Sequence, residues 1–288
     1  MLLYSLMNIA DKNIVILYHG DCSDGFSGAW AAWKKFGDQA AYIGVQYKNP
    51  MPEGLINKEI YLIDFTYGLE QMEKLIAENK KVTCIDHHIT AEPIIKLTQN
   101  YSFDNNHSGC VLAWKYFHPQ KLVPKFLLFV EDNDIGKWSI KGTEEVLAYI
   151  RTEEQNFKNW SRLVKKIEKI SSRKKILEIG AAIKKFEGRI VSGLIERKAE
   201  LVEFEGIQTL CVNSPSFPTN IGRAIVKKMP PMAIIWNKEP GGIYVSLRSN
   251  GTTDVAKIAQ KYGGGGHKAA AGFFIKNDEK IPWKNKTF

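Results

Sequence analysis

Between residues 13 and about 135 the chain alternates short apolar runs with segments of helical spacing, and this alternation restricts the fold more than any other feature. Residues 13–18 (NIVILY) are apolar without a break, as expected of a strand buried on both faces of a sheet. Residues 25–36 (GFSGAWAAWKKF) have helical spacing, and 40–45 can form a second strand. Strands at 59–65 and 81–85 flank a helix at 68–79, and 108–117 and 124–130 read as further helices. Alternating buried strands and helices imply a parallel sheet with right-handed crossovers.

Residues 143 to about 201 are helical in pattern and highly charged, and 172–204 read as one long helix. Strands return at 208–212, 232–236 and 243–247, followed by a helix at 254–262, a glycine run at 263–266 and a strand at 271–275. The expected fold class is α/β: an amino-terminal parallel-sheet domain over 1–185, a helical linker over 186–206, and a smaller α/β domain with a mixed sheet over 207–288.

The 288 residues are 44% hydrophobic and 25% charged, which suits real cores and excludes a disordered tail. No apolar stretch approaches the ~20 residues that span a bilayer. Residues 1–8 lack the basic lead-in and small-residue cleavage site of a signal peptide. Cys22, Cys84, Cys110 and Cys211 form no CxxC pair, so a disulfide framework is not expected and a reducing cytoplasm fits. The net charge of +9 favours an anionic partner, although much of it lies between 158 and 198, where it also suits a solvated helix face.

In a parallel sheet, functional side chains gather at the carboxyl ends of the strands. The first strand leads into His19-Gly-Asp21-Cys22-Ser-Asp24, the third ends with Asp64, and the fourth ends with Asp86-His87-His88. Carboxylates at this density repel one another unless cations hold them together. Mixed His and Asp donors suit Mn²⁺, Zn²⁺, Fe²⁺ or Co²⁺ better than pure oxygen sites do. A carboxylate such as Asp64 can bridge two ions, as in two-metal phosphate chemistry. Taken singly, His19 reads as a polar cap, Asp24 as a helix cap and Asp64 as a turn residue; their recurrence at successive strand ends favours a site. His107 and His118 lack such a setting and read as structural or surface residues. A second constellation joins Ser246-Leu-Arg248-Ser249 to Gly263-Gly264-Gly265-Gly266-His267-Lys268, where glycine backbone and an arginine fork suit a phosphate.

These motifs, in this order and over nearly the whole chain, resemble the DHH phosphoesterase superfamily and its DHH-associated carboxy-terminal domain, and in particular its oligoribonuclease or nano-RNase branch. The resemblance implies that His19, Asp24, Asp64 and His87 hold two metal ions, with Asp64 between them. It implies a further carboxylate from Glu131-Asp132-Asn133-Asp134, Asp132 being the choice and Asp134 the alternate. His88 should face the scissile phosphate, Asp86 should orient the site, and Arg248, Ser249, Gly264, Gly265, Gly266 and His267 should bind substrate phosphates. Many members carry Asp-x-Asp in the first loop; here Cys22 stands two before Asp24, either as a soft ligand or with Asp21 or water in its place.

The expected activity is Mn²⁺-dependent hydrolysis of short single-stranded RNA to nucleoside monophosphates, with Mg²⁺ or Co²⁺ as substitutes and a monomer or homodimer as the working form. Cyclic dinucleotides, 3′-phosphorylated adenosine nucleotides and polyphosphate are alternative substrates. Pyrophosphate is disfavoured because it leaves Trp30, Trp33, Lys34 and Lys35 without a role. A binding module that has lost hydrolysis is the competing class, and a processive DNase of the RecJ kind is disfavoured by chain length.

Overall fold

The computed structural model describes residue 9 and residues 11–20, 22–46 and 50–286. The chain divides into two units, Met1–Ile183 and Lys184–Phe288. The first contains β1 Ile14–His19, α1 Ser23–Phe36, β2 Ala40–Val45, β3 Glu59–Ile63, α2 Leu69–Glu78, β4 Lys81–Asp86, α3 Glu92–Ile95, β5 Asn100–Phe103, α4 Gly109–Phe117, α5 Lys125–Asp134, α6 Thr143–Ile150 and α7 Phe157–Glu168. Helix α8, Ile170–Lys198, carries the chain across the division into the second unit.

The first sheet has the order β2-β1-β3-β4-β5, with every pair parallel. Why β1 is apolar throughout follows from the period of two along a strand. Ile16 enters the core under α1 and α4, while Val15 and Leu17 enter the core on the opposite face with Met72 of α2. From β1 the chain steps outward to β2 and then crosses back to β3 on the other side. That reversal lies between β1 and β3, and the crevice beyond their carboxyl ends is where such sheets bind ligands.

The tryptophans of α1 are packing residues, so they no longer count against a substrate as small as pyrophosphate. Trp30 is buried, stacks on Trp114 with centroids 5.4 Å apart, and donates to Ser161 Oγ at 2.9 Å. Trp33 stacks on Phe157. Trp160 of α7 is fully buried edge-on to Phe26 and donates to Ser27 Oγ at 2.9 Å, so α7 is fixed against the turn that follows Asp24.

The second unit contains β6 Ala199–Phe204, β7 Ile207–Asn213, α9 Pro218–Lys228, β8 Met232–Glu239, β9 Gly242–Ser249, α10 Val255–Lys261, β10 Gly265–His267, β11 Ala270–Lys276 and β12 Lys284–Asn285. Its sheet has the order β10-β11-β9-β8-β7-β6-β12 and is mixed: β7 and β8 run parallel and the other pairs antiparallel. Val202, Phe204, Val245 and Phe273 form the core on the α10 face, while Ile221 and Ile225 of α9 meet Val212 and Ile235 on the other. Asp254 caps α10 by accepting from the backbone N–H groups of Ala256 and Lys257.

The helix expected over 172–204 stops at Lys198, and 199–204 of the expected linker form β6. In Ala-Glu-Leu-Val-Glu-Phe, Val202 and Phe204 fall two apart and are buried, and pairing with β7 satisfies the backbone. The described helices include none long and apolar enough to cross a membrane.

Candidate metal centre

Four elements of the first unit converge at the β1/β3 crevice. His19 closes β1, Asp64 follows β3, Asp86-His87-His88 end and follow β4, and Asp134 closes α5. Asp24, at the second position of α1, is 1% exposed; Asp64 and His87 are equally inaccessible. His87 Nε2 stands 3.2 Å from Asp64 Oδ1 and 3.2 Å from Asp134 Oδ2. His19 Nδ1 lies 3.5 Å from the other oxygen of Asp64. Potential donor atoms include two triplets, His19/Cys22/Asp64 and Asp24/His87/Asp134, each within 4.8 Å; Asp64 adjoins both and also groups with Asp86, His87 and His88.

The backbone is distorted to make this possible. Asp64 has φ 58°, the left-handed region that L residues seldom occupy outside Asn, Asp and Gly. Its N–H is nonetheless held by Ile85 O at 2.9 Å. Strain fixed by the surrounding sheet is characteristic of functional positions.

Asp24 does not cap its helix. Its carboxylate instead accepts from the backbone N–H of Cys110 at the start of α4, at 3.2 and 3.3 Å. Gly109 makes room for this approach: a Cβ there would lie 2.6 Å from Asp64 Cβ and 2.9 Å from Asp24 Oδ2. Sequence reasoning missed Gly109 and Cys110. The only available signal was the Ser108-Gly109 pair opening a helix.

Asp86 is tied to the two residues that follow it. One oxygen, Oδ1, accepts from the N–H groups of His87 (2.7 Å) and His88 (3.2 Å) and from His88 Nδ1 (2.7 Å). Burial opposes the charged form of His88, but the Asp86 charge and hydrogen bond outweigh it and push the imidazole up to about 9. For His87 burial is likewise outweighed, here by Asp64 and by the charges of Asp134 and Asp24, which push it up to about 10. Burial also pulls Asp64 upward, yet its bonds to His19 and His87 hold it well below the usual carboxylate range. Asp24 and Asp134 are raised by burial and by mutual proximity of carboxylates. Burial followed by the charges of Asp64, Asp134 and Asp24 raises the Cys22 thiol.

Asp64 Oδ1, Asp86 Oδ2 and Asp134 Oδ2 are buried without a hydrogen bond of normal geometry. Three buried carboxylates, imidazole nitrogens and a thiol around an under-bonded core fit divalent transition ions.

Asp132 does not belong to the cluster, and the choice of Asp132 over Asp134 is corrected. Asp132 Oδ1 accepts from Ser139 N and Oγ, and Oδ2 from Ile140 N and Thr143 Oγ1 at 2.5 Å. Both oxygens are consumed in fixing the 138–143 loop, and these donors hold the carboxyl below its usual range despite burial. Two residues on, about 200° around the helix, Asp134 faces His87. Asp132→Ala is expected to lower stability by about 2–4 kcal/mol, since it strands several buried donors, while leaving Mn²⁺ binding intact. Asp134→Asn should leave the metal-free melting temperature unchanged or raised and weaken Mn²⁺ binding. Thermal denaturation beside Mn²⁺ calorimetry separates the two, and loss of metal by the Asp132 variant alone would reverse the assignment. Asp21 lies outside the described residues.

In the second unit Arg248 is braced rather than loose. It donates to Leu247 O at 2.9 Å and to Thr219 Oγ1 at 3.1 Å, and its Nε is buried without a hydrogen-bond partner. The reading of Ser249 as a phosphate donor is corrected: its hydroxyl donates to Thr253 O at 2.7 Å and accepts from Gly251 N, closing a turn. The glycines serve strand pairing whether or not a ligand approaches. A Cβ on Gly264 would meet Gly272 O at 2.1 Å, Gly265 pairs with Gly272, and Gly266 has φ 137° against Ala270 O. His267 ends β10, opposite Ala270.

Residues 221–287 match the DHHA1 domain family. The chain is 29% identical to an uncharacterized protein of Acanthamoeba polyphaga mimivirus over 287 residues, spanning 91% of this chain and 67% of the relative. Among solved structures it resembles a DHH domain from a member of a family of ribosomal proteins, with TM-score 0.58, 13% identity, and 95% and 85% of the two chains covered. It is also similar to RecJ of Thermus thermophilus in complex with Mn²⁺, with TM-score 0.47, 14% identity, and 96% and 51% covered. The DHHA1 match thus covers the carboxy-terminal part of the second unit, and the likeness to the solved DHH domain is one of fold.

Proposed function

We propose that this chain is a two-metal phosphodiesterase that hydrolyses short oligonucleotides to nucleoside monophosphates, in the manner of the oligoribonuclease branch. The observation that carries the reading is Asp64, set between the His19/Cys22/Asp64 and Asp24/His87/Asp134 triplets. Those triplets would hold two ions, Mn²⁺ by preference and Mg²⁺ or Co²⁺ as substitutes. When bound, such a pair supplies a hydroxide nucleophile near neutral pH and neutralises phosphoryl oxygens.

The chain's own residues do the rest. Asp86 holds His88 through Nδ1, so the opposite nitrogen, Nε2, is the one that hands a proton to the departing ester oxygen. The Cys110 N–H holds the Asp24 carboxylate in place. Arg248, fixed by Thr219, offers a preset cation for a substrate phosphate, and its buried, unpaired Nε supports that role. The excess of Lys and Arg over Asp and Glu suits a polyanionic substrate.

The test is a product assay with added Mn²⁺ on di- to pentaribonucleotides, matched DNA, cyclic dinucleotides, 3′-phosphoadenosine nucleotides and polyphosphate. Short RNA should yield monophosphates, and Asp86→Ala should slow this by on the order of 10²-fold, the usual reach of an acid–base group. Uncut RNA, or equal rates for the wild type and variant, overturns the reading.

A further inference from the structure

Two of the proposed ligands, Asp24 and Asp134, sit on helices that share no strand, so their separation depends on what ties those helices together. A single carboxylate makes one such tie. Glu131 Oε2 accepts from the backbone N–H of Ser108 at 3.0 Å and from His107 Nδ1 at 3.0 Å. Ser108 is the residue before α4, whose first turn delivers the Cys110 N–H to Asp24. Glu131 is three residues before Asp134 on α5, on the same side of the helix.

The direction of the hydrogen bonds is fixed by chemistry. Lys115 Nζ lies 2.7 Å from His107 Nε2. An ammonium can only donate, so Nε2 accepts and the ring hydrogen sits on Nδ1, aimed at Glu131. Lys115, His107 and Glu131 therefore form a one-way chain of donors ending on an oxygen that the Ser108 N–H also reaches. Glu131 is only partly exposed, at 13% of its side chain. Neither Glu131 nor His107 belongs to the ligand triplets.

We infer that Glu131, with His107, is a positioning residue for the metal centre: it locks the amino end of α4, and through it Asp24, to the helix that carries Asp134. This rests on the two-metal reading above. It makes a distinct claim, because the Asp24/His87/Asp134 triplet should suffer from loss of the tie while the His19/Cys22/Asp64 triplet should not.

The experiment is Mn²⁺ titration of the full chain, read by calorimetry and by the paramagnetic resonance of free Mn²⁺, with melting temperatures taken without metal. Wild type should bind two ions. Glu131→Ala should weaken one of them by about tenfold or more, within the range seen when residues that orient metal ligands are removed, and leave the other unchanged. Glu131→Gln keeps an acceptor for the Ser108 N–H and should recover most of the loss, whereas His107→Ala should fall between. Equal weakening of both ions, or wild-type affinities in Glu131→Ala, overturns the inference. If Glu131→Ala does not fold, His107→Ala and Glu131→Gln carry the same comparison. A wild-type chain that binds no Mn²⁺ overturns the phosphodiesterase reading itself, and with it this inference.

Discussion

Under the proposed function, Asp64→Asn should reduce phosphodiester hydrolysis by on the order of 10³-fold or more, because Asp64 would be a ligand to both ions. Asparagine is the informative substitution. Asp64 sits at φ 58°, a conformation that Asn accepts and that alanine would occupy only at about 1 kcal/mol or more of strain. Its N–H bond to Ile85 O is untouched, so the β3–β4 junction should survive. The side chain keeps its shape but loses its charge and the capacity to bridge. In the metal-free chain the carboxylate also balances His19 and His87, so the variant should lose some stability at neutral pH. Turnover at saturating Mn²⁺ and metal stoichiometry by calorimetry check this. Retention of two ions with near-normal turnover would remove Asp64 from its proposed place.

A rise in pH from 6 to 9 should tighten Mn²⁺ binding by on the order of 10²-fold or more, since each proton displaced contributes about tenfold per pH unit. The sign follows from which form each group takes without metal. His87 is pushed up to about 10, chiefly by Asp64 once its burial is overcome, so it is protonated over this whole range. Asp24 and Asp134 are raised by burial and neighbouring carboxylates and so also hold protons above their ordinary range. Metal must displace these protons, and affinity climbs until the pH passes about 10. Stability of the metal-free chain moves the opposite way. The raised values of His87 and His88 contribute stability that is complete below about 6.5 and lost as pH rises through about 9 to 10. The depressed Asp64 contributes above about 3.9 and is lost on acidification. Calorimetry in buffers of different ionisation enthalpy counts the protons released; pH-independent affinity with no proton release would contradict this arrangement.

The sheet and its strand-end acids were legible in the sequence because β1, β3 and β4 are apolar on both faces, and such strands announce themselves by composition alone. Asp64, His87 and His88 were readable for the same reason: they are the first polar residues after those strands. The choice within Glu131-Asp132-Asn133-Asp134 was not readable. All three acids lie within one helical turn, and which of them faces the sheet depends on how α5 is rotated against α4 and α6. The end of α8 was hidden because Ala199-Glu-Leu-Val-Glu-Phe suits either a charged helix or an alternating strand, and only pairing with β7 decides. The short β5 and β12 gave too few residues to show any period. His107 was set aside because it has no setting comparable to that of His19, His87 and His88; its partner, Glu131, lies 24 residues downstream.

The bond from the Cys110 N–H to Asp24 spans 86 residues, and the candidate ligands run from His19 to Asp134. The two triplets draw on different elements: His19/Cys22/Asp64 needs β1, the start of α1 and the end of β3, while Asp24/His87/Asp134 needs α1, β4 and α5. Loading of both by a spectroscopically visible ion such as Mn²⁺ would then report on the assembly of all five elements. A refolding chain should reach its full complement of ions only in the last, cooperative step.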